Sequence, residues 1–181
     1  QALRHGRVVS GGSTLTMQVA RLLEGRHGKD AKGKLRQMVR ALQLEDDLSK
    51  TEILRLYLRL APFGGNIEGV RAASLAYFGK EPKRLSIGEA ALLVALPQSP
   101  ETRRPDRNWQ AALRARNRVL DRAEEVGAIS AAERDRAKDE AVPKGRRAFP
   151  KFAPHLSESE VAAKRDVAVH LLTLDRELQS A

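Results

Sequence analysis

The stretch Gly11-Gly12-Ser13-Thr14-Leu15-Thr16-Met17-Gln18-Val19-Ala20-Arg21 joins a glycine turn to a helix with two chemically different faces. Two glycines let a backbone approach a ligand with no β-carbon in the way, and Ser13 or Thr14 is placed to cap the first free amides of the helix. Those amides carry partial positive charge, so the turn favours an anion. Leu15, Val19 and Leu22 recur at i, i+4, i+7 as a packing stripe, while Thr14, Gln18 and Arg21 recur at the same spacing on another face. Hydroxyl, amide and guanidinium groups side by side read as a phosphate-facing segment. Glycine and cap alone favour the plainer reading, an ordinary capped surface helix.

Positive charge gathers around this segment, at Arg21, Arg26, Lys29, Lys32, Lys34, Arg36 and Arg40, with Glu24 and Asp30 opposing. The whole chain carries 33 Lys and Arg against 23 Asp and Glu, a formal +10, and such a surface seeks polyanions. Nucleic acid, anionic lipid headgroups and pyrophosphates are the candidates. Only 4% of residues are aromatic and no base-stacking platform or recognition motif is present, which argues against nucleic acid. Much of the run around residues 25–33 also fits a solvated loop. The absence of cysteine excludes a disulfide framework and thiolate metal sites, and leaves the compartment open. The longest uninterrupted apolar run, residues 90–96, is far too short to cross a bilayer.

The elements that must position these groups are mainly helices. Four Ser-x-x-Glu boxes, Ser49/Glu52, Ser86/Glu89, Ser130/Glu133 and Ser157/Glu160, mark helix starts. Leu35, Met38, Val39 and Leu42 predict a helix running to Asp47 that packs on those side chains, and Ile53, Leu56, Tyr57 and Leu60 predict the next, ending before Pro62. Residues 67–78 predict a short helix stopped by Gly79. Residues 89–96, apolar on all sides, predict a central buried helix stopped by Pro97. A long helix over 108–126 is expected to pack through Ala112, Val119, Ala123 and Val126, with Gly127 as its cap. A further helix covers 130–141, closed by Pro143. Residues 143–154 read as an extended connector and 167–174 as a strand of a downstream region. The fold class expected is mainly α, one domain over 1–142 followed by a connector over 143–181.

The Gly-Ser-Thr segment resembles the second motif of the bacterial peptidoglycan glycosyltransferases of family 51, whose pattern runs Gly-x-Ser-Thr-Ile/Leu-Thr-Gln-Gln. Met17 in place of the first glutamine narrows the resemblance to one branch of the class A penicillin-binding proteins. Further blocks match downstream: Gly33-Lys34-Leu35-Arg36-Gln37, Glu52-Ile53-Leu54-Arg55-Leu56-Tyr57-Leu58, Ala61-Pro62-Phe63-Gly64-Gly65-Asn66, Tyr77-Phe78-Gly79-Lys80, Leu96-Pro97-Gln98-Ser99-Pro100 and Arg116-Asn117-Arg118-Val119-Leu120. The match is strong over residues 8–130, thins, and returns at Leu172-Thr173-Leu174-Asp175, similar to the start of a linker toward a transpeptidase domain.

The resemblance implies a lysozyme-like helical architecture and polymerisation of lipid II into β-1,4 glycan chains, with inversion and release of undecaprenyl pyrophosphate. It implies a substrate and pyrophosphate site of Ser13, Thr14, Gln18, Arg21, Lys29, Arg36 and Gln37, with Lys34 a weaker candidate. The implied partners are lipid II, the growing glycan chain, the bacterial membrane surface on the periplasmic face, and a transpeptidase domain. No cofactor follows from the residues; a divalent cation, Mg or Mn, at the pyrophosphate is compatible with the resemblance. The family's general base is a glutamate in a Glu-Asp-x-x-Phe-x-x-His motif expected upstream of Gln1, so the chain as written is expected to be inactive. Gln37 stands where the family usually carries a second glutamate, and an amide cannot act as a base. Arg59 stands where an asparagine is expected. Glu45 and Glu68 read as surface charge, Glu52 and Glu89 as caps. The alternatives left open are a non-catalytic module that binds lipid pyrophosphates or cell-wall partners and a basic nucleic-acid-binding helical domain.

Overall fold

The computed structural model describes residues 14–24, 31–148 and 162. Ser13, Lys29, the Ser157/Glu160 box and the expected strand over 167–174 lie outside them. The described elements are α1 (Leu15–Glu24), α2 (Ala31–Asp47), α3 (Lys50–Leu60), α4 (Val70–Phe78), α5 (Ile87–Ala95), α6 (Pro105–Glu125) and α7 (Ala131–Asp139), with 3-10 turns at Pro82–Arg84 and Leu96–Gln98. Among the described residues extended pairing is limited to one bridge, between Pro62 and Glu68. The fold is mainly α.

Three of the serine boxes form as their sequence demands. Ser49, Ser86 and Ser130 each accept from the backbone N–H of the glutamate three residues on, and each glutamate carboxylate takes the serine's own N–H in return. These reciprocal bonds satisfy amides the helix cannot. Pro105 opens α6 earlier than the periodicity predicts, and the extra turn is joined across a kink at Asn108, whose φ of −144° and ψ of 71° are not helical.

Two main apolar clusters hold the fold. The first gathers Ala61, Phe63, Ile67, Ala73, Tyr77, Leu92, Leu93 and Leu96, joining α4 and α5 through the α3–α4 loop; the Tyr77 hydroxyl donates to the Phe63 carbonyl at 2.9 Å. The second gathers Val19 and Ala20 of α1, Leu44 of α2 and Ile53 of α3. Tyr57 packs against both. A smaller cluster of Ala91, Leu120 and Ala137 seats α7. The helix over 87–95 is central as expected, although Val94 faces solvent at 68% exposure.

Three packing expectations are corrected. On α2 the stripe Leu35, Met38, Val39 and Leu42 is exposed, and Ala41 and Leu44 are the buried residues, because the neighbouring helices meet only the opposite side of this long helix. On α6, Val126 is 60% exposed, since the helix ends at Glu125 and Val126 falls in the cap. On α1, Leu15 and Leu22 are half-buried while Thr16 and Ala20 lie deeper.

The chain divides into two compact units, residues 1–147 and 148–181. Residues 143–147 are irregular but docked. The Arg147 N–H donates to the Ala76 carbonyl at 2.7 Å, Arg146 donates to the Gly64 carbonyl at 2.9 Å, and the Lys144 ammonium lies 5.0 Å from the Trp109 ring centre.

Candidate functional site

Thr14 is the residue that starts α1: its hydroxyl accepts from the Met17 N–H at 3.2 Å, and its carbonyl takes the Gln18 N–H at 3.1 Å. One turn of helix then separates each of Thr14, Gln18 and Arg21, so hydroxyl, amide and guanidinium share one flank. Thr14 and Arg21 are exposed and Gln18 is half-buried. The opposite flank is held down by Val19 and Ala20, both fully buried. This division is what leaves the polar groups available.

Tyr57 of α3 packs against the apolar cluster of Val19 and Ala20 that seats α1. Burial pushes its hydroxyl above the ordinary tyrosine value, while the positive charge of Arg21 works in the opposite direction. Arg36 is exposed and Gln37 half-buried on α2, which packs against α1. Among the described residues no hydrogen bond or ion pair links that pair to Thr14, Gln18 or Arg21. Lys34 is exposed on the same helix.

Glu45 is more than surface charge. The buried Thr16 hydroxyl donates to its Oε1 at 2.5 Å, and Lys50 of α3 reaches the same oxygen at 2.8 Å. The Lys50 and Thr16 hydrogen bonds hold its carboxyl below the ordinary glutamate value. Glu52 and Glu89 are caps, as their spacing predicts, and Glu89 also takes the Lys80 ammonium at 2.7 Å. Burial works to raise the Glu89 pKa, and the Lys80 and Ser86 hydrogen bonds outweigh it, leaving a lowered value. Glu68 is exposed in the α3–α4 loop. Among the described residues no group of three or more His, Asp or Glu side chains is placed to hold a metal ion.

That loop is built for close approach. Gly64 has φ of 105°, and a β-carbon there would overlap the Arg104 side chain. Arg104 is held by Asp106 at 2.7 Å and Glu101 at 3.4 Å, while Glu101 accepts the Gly65 N–H at 2.6 Å. Arg146 closes the cluster from the connector, 3.2 Å from Asp106. No described helix is long and apolar enough to cross a membrane.

The first described helix thus presents threonine, glutamine and arginine on one flank of a mainly helical unit. The family model described as Transglycosylase matches residues 1–124, and the chain belongs to that family. Penicillin-binding protein 1C of Escherichia coli is 49% identical over 99% of this chain and 23% of its own length, in agreement with the branch that Met17 singles out. Penicillin-binding protein 1A of Vibrio cholerae is 40% identical over 89% of the chain and 18% of its own length. The biosynthetic peptidoglycan transglycosylase of Pasteurella multocida is 46% identical over 55% of the chain and 42% of its own length. The chain thus spans about a quarter or less of the penicillin-binding proteins it matches.

Proposed function

We propose that this domain is the peptidoglycan glycosyltransferase of a class A penicillin-binding protein, polymerising lipid II into β-1,4 glycan chains. In that reaction the acceptor 4-hydroxyl attacks the donor's anomeric carbon, the configuration inverts, and the lipid pyrophosphate departs. The departing group gathers negative charge, and cations and hydrogen-bond donors fixed in advance where that charge develops lower the barrier. Thr14, Gln18 and Arg21 are such groups, carried at fixed spacing on a helix whose other side is buried. This polar flank of α1, in a chain of the Transglycosylase family, is the observation that carries the reading. The resemblance adds Ser13, Lys29, Arg36 and Gln37 as further candidates for binding the pyrophosphate.

The acceptor proton needs a base. Glu52 and Glu89 are occupied as caps and Glu45 as a tie between helices; the family resemblance implies that the base is the glutamate of the family's preceding Glu-Asp-x-x-Phe-x-x-His motif. A divalent cation, Mg or Mn, held chiefly by the pyrophosphate oxygens is compatible with this reading, and the basic side chains add positive charge beside it. The exposed apolar stripe on α2, flanked by Lys34, Arg36 and Arg40, supports a membrane surface as the place of work. Apolar side chains beside cations suit the acyl and headgroup boundary of an anionic bilayer. The periplasmic face of the cytoplasmic membrane, the growing glycan chain and a transpeptidase domain are the setting and partners that follow. Glycan formation from lipid II by the full-length protein tests the reading.

A further inference from the structure

We propose that Thr16 and Glu45 are positioning residues that set the rotation of α1, and with it the direction of the Gln18 and Arg21 side chains; this rests on the glycosyltransferase reading above. Thr16 lies on the inner flank of α1, one turn before Val19 and Ala20, and is only 3% exposed. A hydroxyl in that position must find a partner or weaken the packing around it. It finds Glu45, which follows Leu44, the α2 residue of the same apolar cluster. Lys50, the first residue of α3, holds the same carboxylate oxygen. One oxygen therefore joins three helices, and the side chain of α1 it grips is bracketed by the functional flank: Thr14 lies two residues before Thr16 and Gln18 two after.

Val19 and Ala20 fix the distance between α1 and its neighbours, but apolar contacts are non-directional and leave rotation about the helix axis loosely set. A charge-assisted hydrogen bond is directional and short, so it fixes the angle. Rotating α1 by a fraction of a turn would carry the Gln18 amide and Arg21 guanidinium off the pyrophosphate, and misplacement by about 1 Å is enough to cost a hundredfold in rate.

The test compares Thr16→Val, which keeps the shape and deletes the hydroxyl, with Thr16→Ser, which keeps the hydroxyl, and adds Glu45→Ala. Steady-state polymerisation of lipid II by the full-length protein is measured beside hydrogen exchange along α1 and α5. Thr16→Val and Glu45→Ala are expected to raise KM for lipid II about tenfold and lower kcat as well, with Thr16→Ser within twofold of wild type and α5 exchange unchanged. A purely structural role would lower kcat through lost folded protein and leave KM alone, and that result overturns the proposal. Equal loss in Thr16→Ser and Thr16→Val overturns it too. If the wild-type protein makes no glycan, the functional reading itself fails; α1 exchange then decides the tie, which is overturned if Thr16→Val leaves it unchanged.

Discussion

Arg116 donates from Nη2 to the carbonyl of Lys138 at 2.7 Å, and from Nη1 to that of Glu140, so a side chain of α6 closes the C-terminal end of α7. Arg116 is 1% exposed. It meets two of the carbonyls that a helix leaves without partners, at the end where the helix dipole favours a cation.

Arg116→Met is therefore expected to lower stability by about 2–4 kcal/mol, because burial is retained while two carbonyls lose their donors. Urea unfolding of the domain measures it. A loss under about 0.5 kcal/mol would mean that water replaces the guanidinium without cost.

Gly64 and Gly127 both have positive φ, 105° and 72°, but only Gly64 is crowded. Gly127→Ala is expected to cost about 1 kcal/mol from backbone strain alone. Gly64→Ala should cost roughly 1–3 kcal/mol more, as the Arg104 side chain must leave Asp106 and Glu101 to make room. Equal thermal shifts in the two variants would contradict this placement of Arg104.

Asp106 sits between Arg104 and Arg146, and these bonds hold its carboxyl below the ordinary value of 3.8. A carboxyl lowered in the folded state contributes stability that is fully present above the unfolded pKa and is lost as pH falls through the folded one. Stability should accordingly decline on acidification below about pH 4, and Asp106→Asn should flatten that decline. An unchanged acid limb in the variant would place the titrating group elsewhere.

How much of this was readable in the chain depends on whether the signal is local. Ser49, Ser86 and Ser130 announce their helices because a capping box is closed within four residues. Thr14, Gln18 and Arg21 are legible for the same reason, since one helix fixes their spacing. The role of Arg116 was not, as its partners lie 22 and 24 residues away and are backbone carbonyls, which leave no mark in side-chain pattern. Glu45 looked like surface charge because its partner Thr16 is on another helix. The stripe Leu35, Met38, Val39 and Leu42 has the period of a buried face, and periodicity cannot distinguish a face that meets protein from one that faces outward.

That stripe is expected to bind lipid. Leu35→Gln with Leu42→Gln keeps good helix formers and should weaken binding to vesicles containing phosphatidylglycerol roughly tenfold. Stability should change by less than about 0.5 kcal/mol, because both side chains are already exposed. Sedimentation with vesicles reads the first and thermal unfolding the second; undiminished binding would show that the basic residues alone carry the attraction.

Glycan synthesis by the full-length protein and its Arg21→Ala, Arg36→Ala double variant tests the pyrophosphate assignment most directly. Each lost charge-assisted contact to the leaving pyrophosphate is worth about 1.5–3 kcal/mol, so each should reduce turnover roughly tenfold to a hundredfold. With lipid II as substrate, the wild-type protein is predicted to release undecaprenyl pyrophosphate and form β-1,4 glycan, and the folded double variant to do so at least a hundredfold more slowly. Wild-type turnover by the double variant, or no glycan from the wild-type protein, would contradict it.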